Sequence, residues 1–202
     1  MEKEKKQYKK ITRTVVTHVI HGYAVMFFCL FFYGFLFTVI VVTRSITDEI
    51  NQIKDVQILY NQPNPQILKQ SNDMLNGYPM AEMAPYIAQE KPQVAAFLIA
   101  IAKKESAWGV HSPKLNGENC YNYWGFRQKR DRMGSGGHTC FDTPEEAVRV
   151  VADRIEDLIN KKYDTPQKMI VWKCGFSCSG HSDASVKKWT QDVDYYYEKV
   201  YQ

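Results

Sequence analysis

The sequence predicts an α+β fold that is mainly α, with a small β-hairpin lobe, preceded by one transmembrane helix. Three observations predict it. Residues 23–43 form an uncharged apolar run, apolar residues recur at helical spacing in several segments after residue 81, and a Gly-rich stretch lies between two of these segments. The 202 residues suffice for one domain with accessory segments.

The N-terminal segment is a basic tail, residues 1–22, followed by the predicted transmembrane anchor, residues 23–43. Together they hold six basic and two acidic residues, which accounts for the net charge of +4, since the other 20 basic and 20 acidic residues balance. The apolar run matches a hydrocarbon core of roughly 30 Å, and no small-residue cleavage site follows it. The positive-inside rule places the N-terminus in the cytoplasm and residues 44–202 outside. A cleaved secretory signal is the alternative.

Residues 44–80 are predicted to form a stalk or linker. Residues 44–60 have apolar residues at helical spacing, but Asn61–Pro65 breaks the pattern, and Asn, Gln, Asp and Pro are frequent in this part of the chain. Residues 81–202 have the composition of a globular domain.

Four helices and one hairpin are predicted in that domain. The first helix spans Pro92–Ser106, and Thr143–Glu146 reads as a capping box that begins the second. A short helix follows Thr165, and the last begins near Asp183. The hairpin is expected around Met133–Gly137 because glycine is frequent there.

Four of the five cysteines follow the apolar run. They are Cys120, Cys140, Cys174 and Cys178. An even number on the outer side favours disulfides, and the simplest pairing joins 120 to 140 and 174 to 178. A zinc site that also uses His138 and His181 is the alternative.

Several function classes lack support in the sequence. The neutral body has no basic footprint of the kind that nucleic-acid binding requires. The chain has no Gly-rich phosphate loop, no His-Glu-x-x-His and no Gly-x-Ser-x-Gly motif, which argues against nucleotide-binding, metalloprotease and esterase activities. We expect no cofactor and no catalytic metal.

Glu105 is the candidate catalytic residue. It follows Val94 by about three helical turns, so it is predicted to continue the apolar stripe and to face the core. Desolvation and the negative end of the helix dipole would both favour a protonated carboxyl, with Trp108 as a wall. Glycoside cleavage needs such a proton donor. The alternative is a helix-end glutamate that turns to solvent.

Two sequence blocks resemble family 73 glycoside hydrolases, which include bacterial endo-β-N-acetylglucosaminidases. Glu105–Gly109 reads Glu-Ser-Ala-Trp-Gly, and Asn122–Arg127 reads Asn-Tyr-Trp-Gly-Phe-Arg. The family pattern is a helix that ends in Glu-Ser-x-Trp-Gly, then a short loop and Asn-Asn-x-Phe/Trp-Gly-Ile-Lys. The resemblance covers residues 81–201. The family lacks the cysteines found here, and Glu-Ser alone would also fit lytic transglycosylases.

The resemblance implies a lysozyme-like domain that cleaves the β-1,4 links of peptidoglycan, anchored in a bacterial cytoplasmic membrane and facing outward. It gives Glu105 the role of general acid. It also implies a second carboxylate in the hairpin lobe, for which Asp131 is the first candidate and Asp142 and Glu118 are alternatives. Without one, the N-acetyl oxygen of the substrate would stabilise the cation, or the product would be an anhydro-sugar.

The resemblance further suggests a set of substrate-binding residues. They are Ser106, Trp108, Asn122, Tyr123 and Trp124. The aromatic rings would offer flat faces to sugars and the asparagine would hold an acetamido group, whereas core packing and loop pinning are the alternatives. The expected partners are peptidoglycan strands, the membrane and envelope-assembly proteins. A lytic transglycosylase and an inactive glycan-binding module are the competing functions.

Overall fold

The computed structural model describes the backbone of residues 2–60 and 62–201 and the side chains of residues 21–54 and 62–201. It divides into two compact units, Met1–Leu59 and Tyr60–Gln202. The chain is mainly helical with one small two-stranded sheet, as the sequence predicts. The side chains of most of the predicted basic tail, residues 1–20, lie outside the described residues.

The first unit is a single helix, α1, which spans Glu2–Tyr60. Within it, His21–Lys54 is long and apolar enough to cross a membrane, and its most apolar 18-residue window has a mean hydropathy of 2.6. The apolar side chains of this segment are exposed, which suits a helix surrounded by lipid. A single-pass anchor is compatible with this helix, and so is a signal sequence.

The second unit contains six α-helices and two short strands among the described residues. The helices are α2 Pro65–Leu75, α3 Ala84–Ile87, α4 Pro92–Ser106, α5 Pro144–Asn160, α6 Val171–Cys174 and α7 Asp183–Tyr201. Strands β1 Lys114–Leu115 and β2 Glu118–Asn119 pair antiparallel. Short 3-10 turns occupy Pro79–Met83, Ser135–Gly137 and Lys168–Ile170.

The predicted boundary at residue 81 is wrong, because part of the expected stalk belongs to the second unit. Ile67, Leu75 and Met80 are buried in its core. The polar residues that suggested a linker lie on the solvent side of α2, an amphipathic helix. The compact unit therefore begins at Tyr60.

Helix α4 is the central element of the second unit. It has the predicted bounds, but Val94–Ala102 is buried on all sides, not along one face. Helices α2, α5 and α7 pack around it. A helix that is apolar all round is typical of a buried central position.

Helix α7 runs antiparallel to α4. The rings of Phe97 and Tyr197 lie 4.5 Å apart, and the side chain of Trp189 contacts that of Glu105. Residue numbers therefore rise along α4, from 97 to 105, while those of the contacting residues on α7 fall, from 197 to 189. This pairing places Trp189 beside the last turn of α4.

Helix α5 begins as predicted. The Thr143 hydroxyl oxygen accepts the Glu146 backbone N–H at 3.1 Å, and Pro144 occupies the first turn. The apolar residues that recur along it at helical spacing are buried. They are Val148, Val151, Ile155 and Leu158.

The hairpin lies elsewhere than predicted. Strands β1 and β2 are joined by Asn116 and Gly117, whose φ angles of 53° and 88° suit a tight two-residue turn. The predicted segment around residues 133–137 has one isolated bridge, between Met133 and Thr139, and a 3-10 turn.

The two predicted disulfides are confirmed: Cys120 pairs with Cys140, and Cys174 pairs with Cys178. Zinc is bound by thiolates, and a sulfur in a disulfide is not a thiolate. The zinc alternative for these cysteines is therefore removed.

Candidate functional site

Glu105 lies in the last turn of α4, and its side chain is exposed. Its Oε1 accepts a hydrogen bond from Nε1 of Trp189 at 2.7 Å. The prediction that Glu105 faces the core is wrong. Because α4 is buried on every side up to Ala102, sharing an azimuth with Val94 does not indicate where the final turn points.

The backbone after Glu105 adopts an unusual conformation. Ala107 and Trp108 have φ angles of 51° and 56°, and Gly109 follows at 91°. Non-glycine residues rarely adopt this region, and two in succession indicate local strain. A Cβ on Gly109 would lie 2.8 Å from the Tyr123 ring, so the packing there requires a glycine.

Ser106 is a buried link between the end of α4 and the next loop. Its Oγ lies 2.7 Å from the carbonyl oxygen of Tyr123, to which it donates, and accepts the N–H of Gly109 at 2.9 Å. The side chain is 3% exposed. Its observed role is therefore to hold the backbone, and it offers no open surface to a substrate.

The three aromatic residues expected to bind sugars are core residues in the structure. Trp108 donates its indole N–H to the carbonyl of Ile99 at 2.9 Å, and Trp124 donates to that of Leu98 at 2.7 Å. Their rings are buried, as is that of Tyr123. The structure therefore supports the core-packing alternative, in which each indole finds a backbone acceptor on α4.

Tyr123 is buried together with its hydroxyl group, which accepts a hydrogen bond from the Asn119 side chain at 2.7 Å. Burial raises the pKa of Tyr123 to about 12, although the bond from Asn119 acts in the opposite direction. The phenol is therefore neutral at physiological pH.

Asn122 pins the loop that follows. Its Nδ2 donates to the carbonyls of Phe126 and Thr139, both at 2.8 Å, and its Oδ1 accepts the N–H of Phe126 at 3.0 Å. The residue is 1% exposed. The loop-pinning alternative is what the structure shows.

Gly125, within the pinned loop, lies against Glu105. A Cβ at this position would be 3.4 Å from Oε2 of Glu105. Gly125 also borders an open cavity of about 190 Å³. The other lining residues are Phe126, Arg127, Arg154, Leu158, Val171 and Trp172. Gly125 therefore lies next to the Glu105 carboxylate and also lines the cavity.

A charged network holds the ends of α4 and α7 together beside this site. Asp192 accepts from Lys104 at 2.6 Å and from Lys188 at 2.8 Å. Partial burial raises the pKa of Asp192, but the hydrogen bonds and charges of the two lysines outweigh it, so the net shift is downward. Asp192 is therefore ionised at neutral pH.

Asp131 is exposed and lines a different cavity, of about 390 Å³. Asp142 lines the same cavity and forms an ion pair with Arg132, while Glu118 is exposed on β2. The cavity that Gly125 borders has neither Asp131 nor Asp142 in its lining. The structure therefore does not bring the predicted second carboxylate into that cavity.

No family model, curated protein or solved structure matches this chain. The interpretation of the site therefore depends on its own geometry and on the sequence motifs.

Sequence reasoning missed the role of Trp189. The ring of Trp189 lies on α7 and is buried in the core, 1% exposed. A buried indole N–H needs an acceptor, which is a signal that some polar group lies near. The sequence does not reveal that the acceptor is Glu105, 84 residues away.

The chemistry available to this arrangement is proton transfer. The indole N–H donates to Oε1 of Glu105, so a proton carried by this carboxyl group would reside on Oε2, the oxygen next to Gly125. A donor with a fixed direction beside an open cavity can act as a general acid. Within the described residues, no group of three or more His, Cys, Asp or Glu side chains is arranged to hold a metal ion.

Proposed function

We propose that this chain is a membrane-anchored peptidoglycan hydrolase that cleaves β-1,4 glycosidic bonds of the glycan strand, with Glu105 as general acid. One observation carries the proposal: Oε1 of Glu105 is held by Trp189, while Oε2 faces Gly125 at the edge of an open cavity. The two motif blocks that resemble family 73 glycoside hydrolases support it. A lysozyme-like fold is part of the proposal.

The geometry suits protonation of a leaving-group oxygen. A general acid must reach the glycosidic oxygen within hydrogen-bonding distance and keep its proton directed at it. Trp189 restrains the carboxyl group, and the missing side chain at Gly125 leaves room next to Oε2. The φ angle of 66° at Gly125, which L side chains rarely adopt, is a physical reason for the glycine of the second motif block.

Two groups are candidates for stabilising the cationic intermediate: a second carboxylate and the N-acetyl oxygen of the substrate. Asp131 lines another cavity, so we assign the stabilising role to the N-acetyl oxygen of the substrate. The same observation favours a second candidate, a lytic transglycosylase, in which intramolecular attack gives an anhydro-sugar. Mass spectrometry of the released ends separates a reducing sugar from an anhydro product.

The anchor places the activity at the membrane in this proposal. Helix α1 would span the bilayer once, with the basic N-terminus in the cytoplasm and the second unit outside. Cleavage would then be limited to wall within reach of the anchor, which suits local remodelling or the assembly of an envelope complex.

The test uses the full chain in detergent and the turbidity of purified peptidoglycan. Wild type and Glu198→Gln, an exposed glutamate on α7, should clear the suspension at the same rate. Glu105→Gln should be slower by a factor of about 100 or more, as expected for loss of a general acid. Equal clearing by Glu105→Gln would remove this residue from the mechanism. Binding of peptidoglycan without clearing by any of the proteins would favour the glycan-binding module.

A further inference from the structure

We propose that the cavity bordered by Gly125 is a subsite for a carboxylate carried on the glycan strand, recognised by Arg127 and Arg154. The inference rests on the proposed function, because it assigns a substrate feature to the same site. Two sources of the carboxylate share this chemistry: the lactyl group of a peptide-free muramic residue and the acidic groups of a stem peptide.

Arg127 supplies a positive charge whose direction is fixed. Its guanidinium group donates to the carbonyl of Gly136 at 2.8 Å and lies 3.2 Å from Nε2 of His138. A carbonyl oxygen and an imidazole nitrogen are not carboxylates, so these contacts orient the guanidinium without neutralising it. Gly136 and His138 do not line the cavity, so the N–H donors of Arg127 that these contacts leave unused are the ones available to a planar anion.

Arg154 supplies a second positive charge from α5. Its Nη1 contacts Asp157 at 2.7 Å, which uses one part of a group that has five N–H donors. Asp157 is shared with Lys161, which binds it at 2.8 Å. One carboxylate therefore serves two cations, and a positive charge remains near the cavity.

The other large side chains of the lining are apolar, although the exposed surface of the cavity is more polar than apolar. The ring of Trp172 is fixed by a hydrogen bond from its indole N–H to the carbonyl of Trp124 at 2.9 Å, and Phe126 stacks on it with ring centroids 6.0 Å apart. Leu158 and Val171 complete this surface. An apolar, aromatic lining with a few convergent polar groups is the usual design of a small-molecule site.

The aromatic side chains and the two arginines together indicate the chemical class of the ligand. Aromatic side chains accommodate the apolar face of a sugar ring, and the arginines require an anion on the same ligand. A volume of about 190 Å³ has room for one ring, not for an oligosaccharide. Because Gly125 borders both this cavity and Glu105, the bound carboxylate-bearing residue would lie next to the bond that Glu105 protonates.

The experiment measures binding, so that it does not depend on turnover. The full chain with Glu105→Gln is titrated in detergent, at low salt, with three tetrasaccharide probes. These are a neutral N-acetylglucosamine tetramer, a peptide-free alternating strand with free lactyl carboxylates, and the same strand with stem peptides. We expect at least one charged probe to bind more tightly than the neutral probe by a factor of about 10 or more, which is the lower end of the range of one charge-assisted contact.

The arginine variants identify the residues responsible. Arg127→Gln and Arg154→Gln should each reduce the preference, and the double variant should abolish it. Arg149→Gln, an exposed arginine on the same helix as Arg154, should retain it. Thermal unfolding of each variant checks that the fold is intact. Preference for the peptide-free strand identifies the lactyl carboxylate, and preference restricted to the peptide-bearing strand identifies the stem peptide.

The outcomes separate this inference from the proposed function. Equal affinity for all three probes, no binding at all, or a preference that survives in the double variant would overturn the subsite. If the wild-type chain does not cleave peptidoglycan and the arginine-dependent preference is nevertheless observed, the hydrolase proposal fails and the subsite stands. Cleavage without a preference contradicts the subsite alone.

Discussion

The indole Nε1 of Trp189 lies 2.7 Å from Oε1 of Glu105 and joins two helices whose residues are 84 positions apart. Within the part of the chain that the structure describes, the Glu105 side chain makes this one hydrogen bond. It therefore determines which carboxyl oxygen remains directed at Gly125.

Replacing Trp189 by Phe keeps an aromatic ring in the core and removes the N–H donor. A hydrogen bond to a neutral group is worth roughly 1 kcal/mol, so we expect turnover of peptidoglycan to fall by about 5-fold. The measurement is the initial rate of turbidity loss by the folded variant. Tyr197→Phe, which removes a polar group from the same helix far from Glu105, should retain turnover within about 3-fold. A fully active Trp189→Phe enzyme would show that the indole does not position the acid.

Gly109→Ala should destabilise the second unit strongly. The new Cβ would lie 2.8 Å from the Tyr123 ring, in addition to the strain of a φ angle of 91°. Gly117→Ala is the matched control, because it has a φ angle of 88° and no atom within 4 Å. We expect a loss of about 3 kcal/mol for Gly109→Ala and about 1 kcal/mol for Gly117→Ala.

Thermal or urea unfolding followed by tryptophan fluorescence measures both variants. The chain has four tryptophans, and all lie in the second unit, so the signal reports that unit alone. Equal losses for the two variants would mean that the contact with Tyr123 relaxes without cost.

Glu90 makes the stability of the second unit dependent on pH. Burial, together with the carboxylates of Asp153 and Glu156, raises the pKa of Glu90 to about 7, while Lys91 acts in the opposite direction. Because the folded pKa exceeds the ordinary value of 4.5, the unfolded chain ionises first. Stability is therefore full below about pH 4.5, declines as the pH rises towards about 7 and is lowest above it.

Glu90→Gln should remove the loss of stability that accompanies the rise in pH. At 1.36 kcal/mol per pKa unit, reduced for partial exposure, we expect the variant to be about 1–2 kcal/mol more stable than wild type at pH 8 and about equal at pH 4. Urea unfolding at pH 4, 6 and 8 measures the difference. Glu198→Gln, which replaces an exposed glutamate, should change stability by less than about 0.5 kcal/mol. A constant difference for Glu90→Gln across this range would contradict the prediction.

The two disulfides should differ in their contribution to stability. Cys120 and Cys140 are separated by 20 residues, and Cys174 and Cys178 by four. Loop-closure entropy predicts a loss of about 3 kcal/mol when the first pair is replaced by alanine and about 2 kcal/mol for the second. Unfolding of the two double variants under non-reducing conditions tests the order. A larger loss for the shorter loop would contradict the entropic account.

The helices were predictable because their signals are local. Pro92 at a first turn and the cap at Thr143 mark where α4 and α5 begin, and apolar spacing identifies their lengths. Cysteine pairing was also predictable, since the nearest partners in sequence are joined. Each of these features depends on residues at most 20 positions apart.

The direction of Glu105 was not predictable from periodicity. Nine successive residues, Val94–Ala102, are apolar and buried, a composition that signals a helix packed on all sides. An azimuth is informative only for an amphipathic helix, so its use here was wrong. The Trp108 and Trp124 rings were misjudged for a related reason, because their acceptors are carbonyls on this same central helix.

The hairpin was missed although its signal is present in the sequence. Asn-Gly at positions 116 and 117 is a strong indicator of a two-residue turn. The flanking strands, Lys114–Leu115 and Glu118–Asn119, have only two residues each, too few to show an alternation of apolar and polar residues. The glycines between residues 134 and 137 instead favoured a turn at that position.

The burial of α4 on every side also limits how this protein can change. A helix enclosed by three others cannot roll about its axis without displacing side chains on all of them at once. The packing of side chains in the interior therefore fixes the orientation of its last turn. Redirecting Glu105, in the laboratory or over generations, would require coordinated replacements among residues far from any ligand, whereas the loop around Gly125 can vary one position at a time.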